Sequence, residues 1–189
     1  MVNTVTFAQK QLVDTIGDFK QFTFDELANK VAFVGTTDDE KKENKSYFLY
    51  YSSVPAQKEI QKSELVGLKK DWFVSENRQP KFSKDGKSLF IGIAPKLEEK
   101  DTTLIAVDHA KVDVWSYKDD IIQPQQLKNA EREKKRSYLA AINLDQPQKL
   151  IQLADENLNM VDLLNEGNST YALGISDNYY DSSVDFTNS

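Results

Sequence analysis

The segment around two adjacent aspartates carries the densest set of side chains that could bind a ligand. It reads VDVWSYKDDIIQPQQL over residues 112–127. In a strand alternate residues share a face, so Trp115 would lie beside Tyr117, and Lys118 beside Asp120. Such a mixture would form a polar rim for the amino terminus or the amides of a peptide. The candidate ligand-facing residues are Trp115, Tyr117, Lys118, Asp119, Asp120 and Gln123. In the competing interpretation, Trp115 packs between sheets and Asp119 caps a turn.

Metal and histidine chemistry is restricted by the composition. The chain has no cysteine and a single histidine, His109. Disulfides, a thiol nucleophile and thiolate metal sites are therefore excluded, as are metal sites built from several histidines. His109 lies in VDHAKVD, between Asp108 and Asp113. It is either a general base or, in the simpler interpretation, a surface histidine. We expect no metal and no cofactor.

Serine chemistry lacks its usual sequence context. The nucleophile elbow of an α/β-hydrolase needs Gly-x-Ser-x-Gly. The nearest strings, GKSLF from Gly86, GNSTY from Gly167 and GISDN from Gly174, do not complete it. Ser83, in FSKDG, is predicted to cap a turn rather than to attack a substrate. The stretch Thr36–Glu43 lacks the spacing of a calcium loop and is interpreted as a solvated hairpin tip.

Charge and hydropathy exclude further classes. With 24 basic and 30 acidic residues the net charge is −6, so we expect neither a nucleic-acid surface nor a polybasic membrane signal. No apolar run approaches the roughly 18 residues of a membrane span. The N-terminal sequence has neither the basic start nor the apolar centre of a signal peptide. A chain of 189 residues can bury a sizeable core without disulfides.

The apolar residues occur in short runs typical of β-strands. Such runs begin near residues 30, 45, 87, 111, 136 and 169, are β-branched or aromatic, and are bounded by Asn, Asp, Gly or Lys. The stretch Gln125–Ala141 is instead rich in helix formers. The sequence leaves two alternatives open for it, namely a helix of three or four turns or the charged edge of a long hairpin. Gln125–Lys135 therefore stays unassigned between helix and strand.

Three hairpin-like segments repeat along the chain, at Phe22–Asp38, Pro80–Pro95 and Val161–Asn178. Each reads apolar residue, turn, apolar strand, then a glycine, which is Gly35, Gly92 or Gly174. We expect each return strand to be buried on both faces. We expect each glycine where a β-carbon would crowd a neighbouring backbone. Repeated hairpins with variable charged loops favour propeller blades, and a single β-sandwich is the alternative.

The middle of the chain carries a more specific signal. The sequence DWFVSENRQPKFSKDGKSLFIGIAP (Asp71–Pro95) resembles a blade of the N-terminal β-propeller of prolyl oligopeptidase family serine peptidases. KDTTL, VDVWSYKDDIIQPQQL, KKRSYLAAINL and LIQLAD follow in the order that such proteins show, and YALGISDNYYD (Tyr171–Asp181) resembles the opening of a next blade. The resemblance covers roughly Phe22–Asp181, and its most specific part is Asp71–Gln126.

This resemblance implies an all-β fold, a partial β-propeller of about three to four antiparallel blades in an incomplete ring. Blade-like units would span roughly residues 18–66, 67–155 and 156–189, the last of them truncated. In the family the propeller restricts access to a catalytic α/β-hydrolase domain and limits substrates to peptides. That domain is absent here, so the resemblance implies a non-catalytic gating segment of a larger peptidase. Its partners would be its own C-terminal hydrolase domain and peptides, and its location the periplasm or cell envelope.

A second interpretation belongs to another class of protein. The chain would be a stand-alone β binding module for a glycan or a protein partner, because aromatic residues dominate recognition surfaces. The aromatic residues concerned are Tyr47–Tyr51, Trp72 and Trp115. An incomplete ring also leaves two apolar blade faces open, which predicts self-association through those faces or marginal stability.

Overall fold

The computed structural model describes residues 2, 4–9, 11–42, 44–53, 61–62, 65–96, 123–145 and 149–176. Within them the chain is mostly β, with antiparallel sheets that are partly curled and one α-helix. The strands are β1 (Asp18–Phe24), β2 (Lys30–Thr36), β3 (Phe48–Ser53), β4 (Gln61–Lys62), β5 (Trp72–Val74), β6 (Lys81–Phe82), β7 (Ser88–Pro95), β8 (Tyr138–Asn143), β9 (Leu150–Gln152), β10 (Met160–Leu163) and β11 (Ala172–Ile175). The helix α1 is Gln123–Lys134, and a 3-10 turn covers Leu164–Gly167.

The first sheet is an antiparallel meander in the order β1-β2-β3-β4. Its second strand, KVAFVGT, is buried from residue 31 to residue 36, because apolar side chains cover both of its faces. Phe24 pairs with Val31 beside the first turn, and Phe33 pairs with Tyr50 on β3. A bulge between Lys20 and Thr23 shifts the register of β1.

The second sheet has five strands but four rows. Strand β5 pairs with Ile93–Pro95 of β7, and β6 pairs with Leu89 and Phe90 of the same strand. The two short strands therefore form one row beside β7. This row is interrupted by residues 75–80, which connect the two strands. Strands β8 and β9 complete the meander on the other side of β7. Residues 89–94 of β7 are all buried, as expected for a return strand covered on both faces.

The third hairpin joins β10 and β11 through the 3-10 turn. All three repeated segments thus form antiparallel hairpins, as the sequence predicts. The third differs in its burial, since Ala172–Ile175 is exposed along its whole length. The expectation that every return strand is buried on both faces is therefore wrong for β11, which pairs with β10 and with no other strand among the described residues.

The faces of each unit can be named from the residue pair that flanks its turn. These pairs are Phe24–Val31, Phe82–Leu89 and Leu163–Ala172. We call the face that carries this pair the leading face and the opposite one the trailing face. Because side chains alternate along a strand, Phe33 belongs to the leading face of the first sheet, and Val34 belongs to its trailing face.

The units stack trailing face on leading face. Ala32, Val34 and Leu49 on the trailing face of the first sheet share one core with Leu89 and Ile91 on the leading face of the second. Across this junction the ring centroids of Tyr51 and Phe82 lie 6.4 Å apart.

The second junction has the same polarity. Phe90, on the trailing face of the second sheet, lies so close to Gly167 in the third unit that a β-carbon there would be 2.5 Å from Phe90 Cε2. Val161 and Leu163, on the leading face of the third unit, pack against the core.

The three repeat glycines are not equivalent in this frame. Gly35 follows Val31 by four residues, whereas Gly92 follows Leu89 by three, so they lie on opposite faces. A β-carbon would also crowd side chains rather than a backbone, namely Phe19 at Gly35, Arg78 at Gly92 and Leu158 at Gly174. The turns from Phe24 to Val31 and from Phe82 to Leu89 have the same length, so the difference arises in the return strand, which has one more residue before Gly35 than before Gly92.

Helix α1 resolves the alternative that the sequence leaves open. Gln123–Lys134 is helical, so the interpretation as a hairpin edge is wrong for this part of the chain. Pro124 in the first turn suits a helix start. Ion pairs at i,i+3 spacing, Glu131–Lys134 at 2.9 Å and Glu133–Arg136 at 2.5 Å, support its last turn. Among the described residues, no helix is long and apolar enough to cross a membrane.

The first turn contains a non-glycine residue in a left-handed conformation. Ala28 has φ 55°, and its amide donates to the Asp25 carbonyl at 3.0 Å. Replacing Ala28 with glycine should raise the free energy of unfolding by about 0.5–1 kcal/mol, because glycine removes the steric cost of this φ. Ala130→Gly in α1 should instead lower it by about 0.5–1 kcal/mol. Urea unfolding of both variants checks the prediction, and a loss of stability in Ala28→Gly would contradict it.

Candidate functional site

A cleft opens where the first and second sheets meet. Its volume is about 540 Å³, within the range of small-molecule sites. We call it the junction cleft. Its walls come from the start of β3, from the link before β5, and from β5 itself. The lining residues are Ser46, Tyr47, Phe48, Leu49, Leu65, Leu68, Asp71, Trp72, Phe73, Val74 and Lys96.

Tyr47 forms one wall of the junction cleft and is held by a charged cluster behind it. The Tyr47 hydroxyl donates to Asp18 Oδ2 at 2.8 Å. Lys20 Nζ lies 3.1 Å from Asp18 Oδ2 and 2.5 Å from Glu76 Oε2. The ammonium group of Lys20 also lies 4.8 Å from the centre of the Tyr47 ring. Because Glu76 lies in the link between β5 and β6 of the second sheet, this cluster ties the two sheets together beside the cleft.

The contacts of the cluster shift its ionisation. Burial raises the pKa of Tyr47 to about 12. The hydrogen bond from Tyr47, with that from Lys20, holds the pKa of Asp18 below its ordinary value. Partial burial opposes the charge of Lys20, but its hydrogen bonds to Glu76 and Asp18 outweigh this and raise its pKa. Near neutral pH the cluster therefore holds a neutral phenol, a carboxylate and an ammonium group.

Trp72 also lines the junction cleft. Its ring centroid lies 5.4 Å from that of Tyr138, and the Lys69 ammonium group lies 5.1 Å from its centre. Strand pairing of Trp72 with Pro95 brings Asp71 and Lys96 together at the mouth, where the Lys96 amide donates to the Asp71 carbonyl at 2.7 Å. Both residues are exposed. The cleft thus combines aromatic walls with one acidic and one basic side chain at its rim.

This arrangement suits binding rather than bond breaking. Aromatic walls bury an apolar group or the face of a ring, and the two charged residues at the mouth can orient a polar end. Trp72 and Tyr47 both belong to the aromatic set predicted from the sequence, and the structure places both in the cleft. Asp71, Leu68 and Lys96 are not predictable in this way, because neither a motif nor a strand pattern marks them.

The aromatic run Tyr47–Tyr51 divides among three places. Tyr47 and Phe48 line the junction cleft. Tyr50 lies on the leading face of the first sheet, with its ring parallel to Phe33 at 5.2 Å. Tyr51 lies in the junction with the second sheet.

Most of the other predicted site residues are not among those that the structure describes. Trp115, Tyr117, Lys118, Asp119 and Asp120 lie outside the described residues, as does His109. Gln123 is the first residue of α1. The polar rim predicted around the two aspartates therefore stays a prediction.

Ser83 has the structural role that the sequence predicts. Its hydroxyl is buried, donates to Asp85 Oδ1 at 2.7 Å and accepts the amide of Ser88 at 2.9 Å. These bonds close the turn between β6 and β7. The hydrogen bond from Ser83 is also the main cause that lowers the pKa of Asp85.

The acidic loop after β2 is also organised by local contacts. Asp38 Oδ2 accepts the amide of Ser46 at 2.7 Å and pairs with Lys42 at 2.9 Å. These contacts account for the lowered pKa of Asp38. In the part of the chain that the structure describes, no group of three or more His, Asp or Glu side chains could hold a metal ion.

Comparisons of the chain with protein-family models, with curated proteins and with solved structures found no match.

Proposed function

We propose that this chain forms consecutive blades of a β-propeller that restricts peptide access to the catalytic domain of a prolyl oligopeptidase-like serine peptidase, and that it is itself non-catalytic. The observation that carries this proposal is the stacking of the units. Two successive four-row antiparallel meanders and a third hairpin pack trailing face on leading face. A propeller blade is a four-stranded antiparallel sheet, and blades repeat around an axis with the same polarity.

The gating role rests on the sequence resemblance of Asp71–Pro95 to blades of that peptidase family. Rigid units with a preserved stacking polarity suit a lid, because a lid must hold its shape while peptides pass. The interrupted row of β5 and β6 adds to that rigidity, since residues 75–80 reach back to the first sheet. Gln79 Nε2 donates to the Phe22 carbonyl at 2.9 Å, and Gln21 Nε2 donates to the Glu76 carbonyl at 3.1 Å.

The test uses a fluorophosphonate probe, which reacts with activated serine nucleophiles. Labelled proteins from the native source are separated by size and digested. We expect peptides of this sequence in a labelled polypeptide larger than 21.6 kDa that also contains Gly-x-Ser-x-Gly. The 189-residue chain alone should neither react nor hydrolyse dipeptidyl nitroanilides. Labelling of the isolated chain, or a native polypeptide of this size without labelling, would overturn the proposal.

A second candidate function is that of a binding module, and the junction cleft favours it. Here the chain would recognise a protein or glycan through an aromatic group or a sugar ring held between Tyr47 and Trp72. Aromatic faces bind such groups by stacking and area burial. This function needs no catalytic domain, so it stands if the fluorophosphonate test fails.

Tryptophan fluorescence tests the binding module, because the chain has only two tryptophans, Trp72 and Trp115. Titration of Trp115→Phe with an oligosaccharide or with a peptide carrying an exposed aromatic side chain should change the emission of Trp72 in a saturable way. Asp71→Asn should weaken binding of a cationic peptide several-fold. The matched variant Trp72→Phe should lose the response. An unchanged Trp72 emission with both kinds of probe would exclude the cleft as the site.

A further inference from the structure

The two ends of the stack expose apolar faces. At one end lies the leading face of the first sheet, with Phe19, Phe22, Phe24, Phe33 and Tyr50, which we call the outer aromatic face. Phe33 is covered by its neighbours, whereas Phe22 and Phe24 are each 44% exposed. At the other end the trailing face of the third hairpin exposes Met160, Leu173 and Ile175, between 45% and 53% of each.

These end faces are of the two kinds that meet inside the chain. The outer aromatic face is the counterpart of the leading face that carries Leu89 and Ile91, which the first sheet buries completely. The trailing face of the third hairpin is the counterpart of the one that carries Ala32 and Val34, which the second sheet buries completely. Among the described residues, neither end face is covered by a further sheet, whereas its equivalent between the units is.

One position on the trailing face is polar in each of the three hairpins. Asp162 lies among the exposed apolar residues of the third hairpin, one residue before Leu163. The equivalent residues, one before Phe24 and one before Phe82, are Thr23 and Lys81. A polar side chain at this row is therefore common to all three units.

We propose that two copies of this chain associate head to tail, with the trailing face of the third hairpin of one copy seated on the outer aromatic face of the next. The proposal rests on the blade-like stacking invoked in the proposed function, and not on the peptidase role. The interface is heterologous, because the two copies contribute different surfaces. Further copies can therefore add at each end until a ring closes or a filament forms.

Two charge-introducing variants test this arrangement. Phe24→Glu blocks the outer aromatic face, and Leu173→Glu blocks the third hairpin. The control is Leu127→Glu on α1, where Leu127 is 64% exposed and belongs to neither face. Light scattering after size exclusion should show mass that rises with concentration for the unmodified chain and the control, and monomers for each blocked variant.

Mixing the two blocked variants gives the decisive result. One variant keeps its hairpin and the other keeps its aromatic face, so the mixture should form dimers and nothing larger. A mixture that stays monomeric would overturn the proposal, as would a monomeric unmodified chain at millimolar concentration. Dimers of Leu173→Glu alone would show a symmetric contact between aromatic faces and would also overturn it.

A second measurement covers the case in which a charged variant fails to fold. The chain has no cysteine, so Phe24→Cys and Leu173→Cys each carry a single thiol. Mild oxidation of the mixture should give the 24–173 disulfide in several-fold excess over 24–24 and 173–173, as read by peptide mass spectrometry. Equal amounts of the three products would contradict head-to-tail association. Neither result depends on fluorophosphonate labelling, so the assembly and the peptidase role fail separately.

Discussion

Replacing Phe33 with alanine should lower the free energy of unfolding by about 3–5 kcal/mol, the usual cost of truncating a buried aromatic side chain. Phe33 is fully buried in the first sheet. Its ring stacks on Tyr50 at 5.2 Å and on Phe22 at 4.7 Å, and it meets the edge of Phe19 at 6.0 Å. The substitution removes the centre of the outer aromatic face and leaves a cavity that three rings cannot fill.

Chemical denaturation with circular dichroism measures this effect. Ile16→Ala is the control, because Ile16 is 96% exposed and its truncation should change stability by less than about 0.5 kcal/mol. Phe33→Leu should fall between the two. Similar stabilities for Phe33→Ala and Ile16→Ala would show that the outer aromatic face is not packed as described.

The cluster behind the junction cleft predicts a loss of stability in alkali. Tyr47 has its pKa raised to about 12 by burial, so its contribution is complete below the ordinary tyrosine pKa near 10 and is lost as pH rises towards 12. A shift of this size corresponds to roughly 2–3 kcal/mol. Lys20, whose pKa is also raised, acts in the same direction, because the lysine of the unfolded chain loses its proton in this range while the folded one keeps it.

Melting temperatures between pH 8 and pH 12 measure this loss. The unmodified chain should lose stability steeply above pH 10, and Tyr47→Phe should lose less while being less stable at pH 8. Tyr51→Phe is the matched control and should follow the unmodified chain. Absorbance at 295 nm reports tyrosinate formation directly. A Tyr47 that ionises near pH 10 without unfolding would contradict the buried, hydrogen-bonded position.

The sequence predicts the hairpins well because their signal is local. Each depends on an apolar run beside a turn, and neighbouring residues carry that pattern. The interrupted row of β5 and β6 is not visible in sequence, since Ser75–Pro80 looks like any polar connection. The glycine register also fails, because a single extra residue in the return strand, between Val31 and Gly35, moves Gly35 to the opposite face from Gly92.

The candidate site is less predictable than the fold for a physical reason. The junction cleft gathers Tyr47, Leu68, Trp72 and Lys96 from segments that are distant in the chain. Only the packing of two sheets decides that they meet. The helix α1 is intermediate, because its composition favours a helix but its lack of an apolar stripe gives no periodic signal.

The connection between β7 and β8 has a consequence for synthesis on the ribosome. Strand β7 is the most deeply buried strand of the second sheet, yet its partner β8 lies beyond residues 96–137. At translation speeds of about 5–20 residues per second, β7 waits for roughly 2–8 s before that partner emerges. The first sheet is complete by residue 62, so during this interval it can already cover the leading face of β7. An apolar strand of the nascent chain is thus partly buried before its own partner strand has been made.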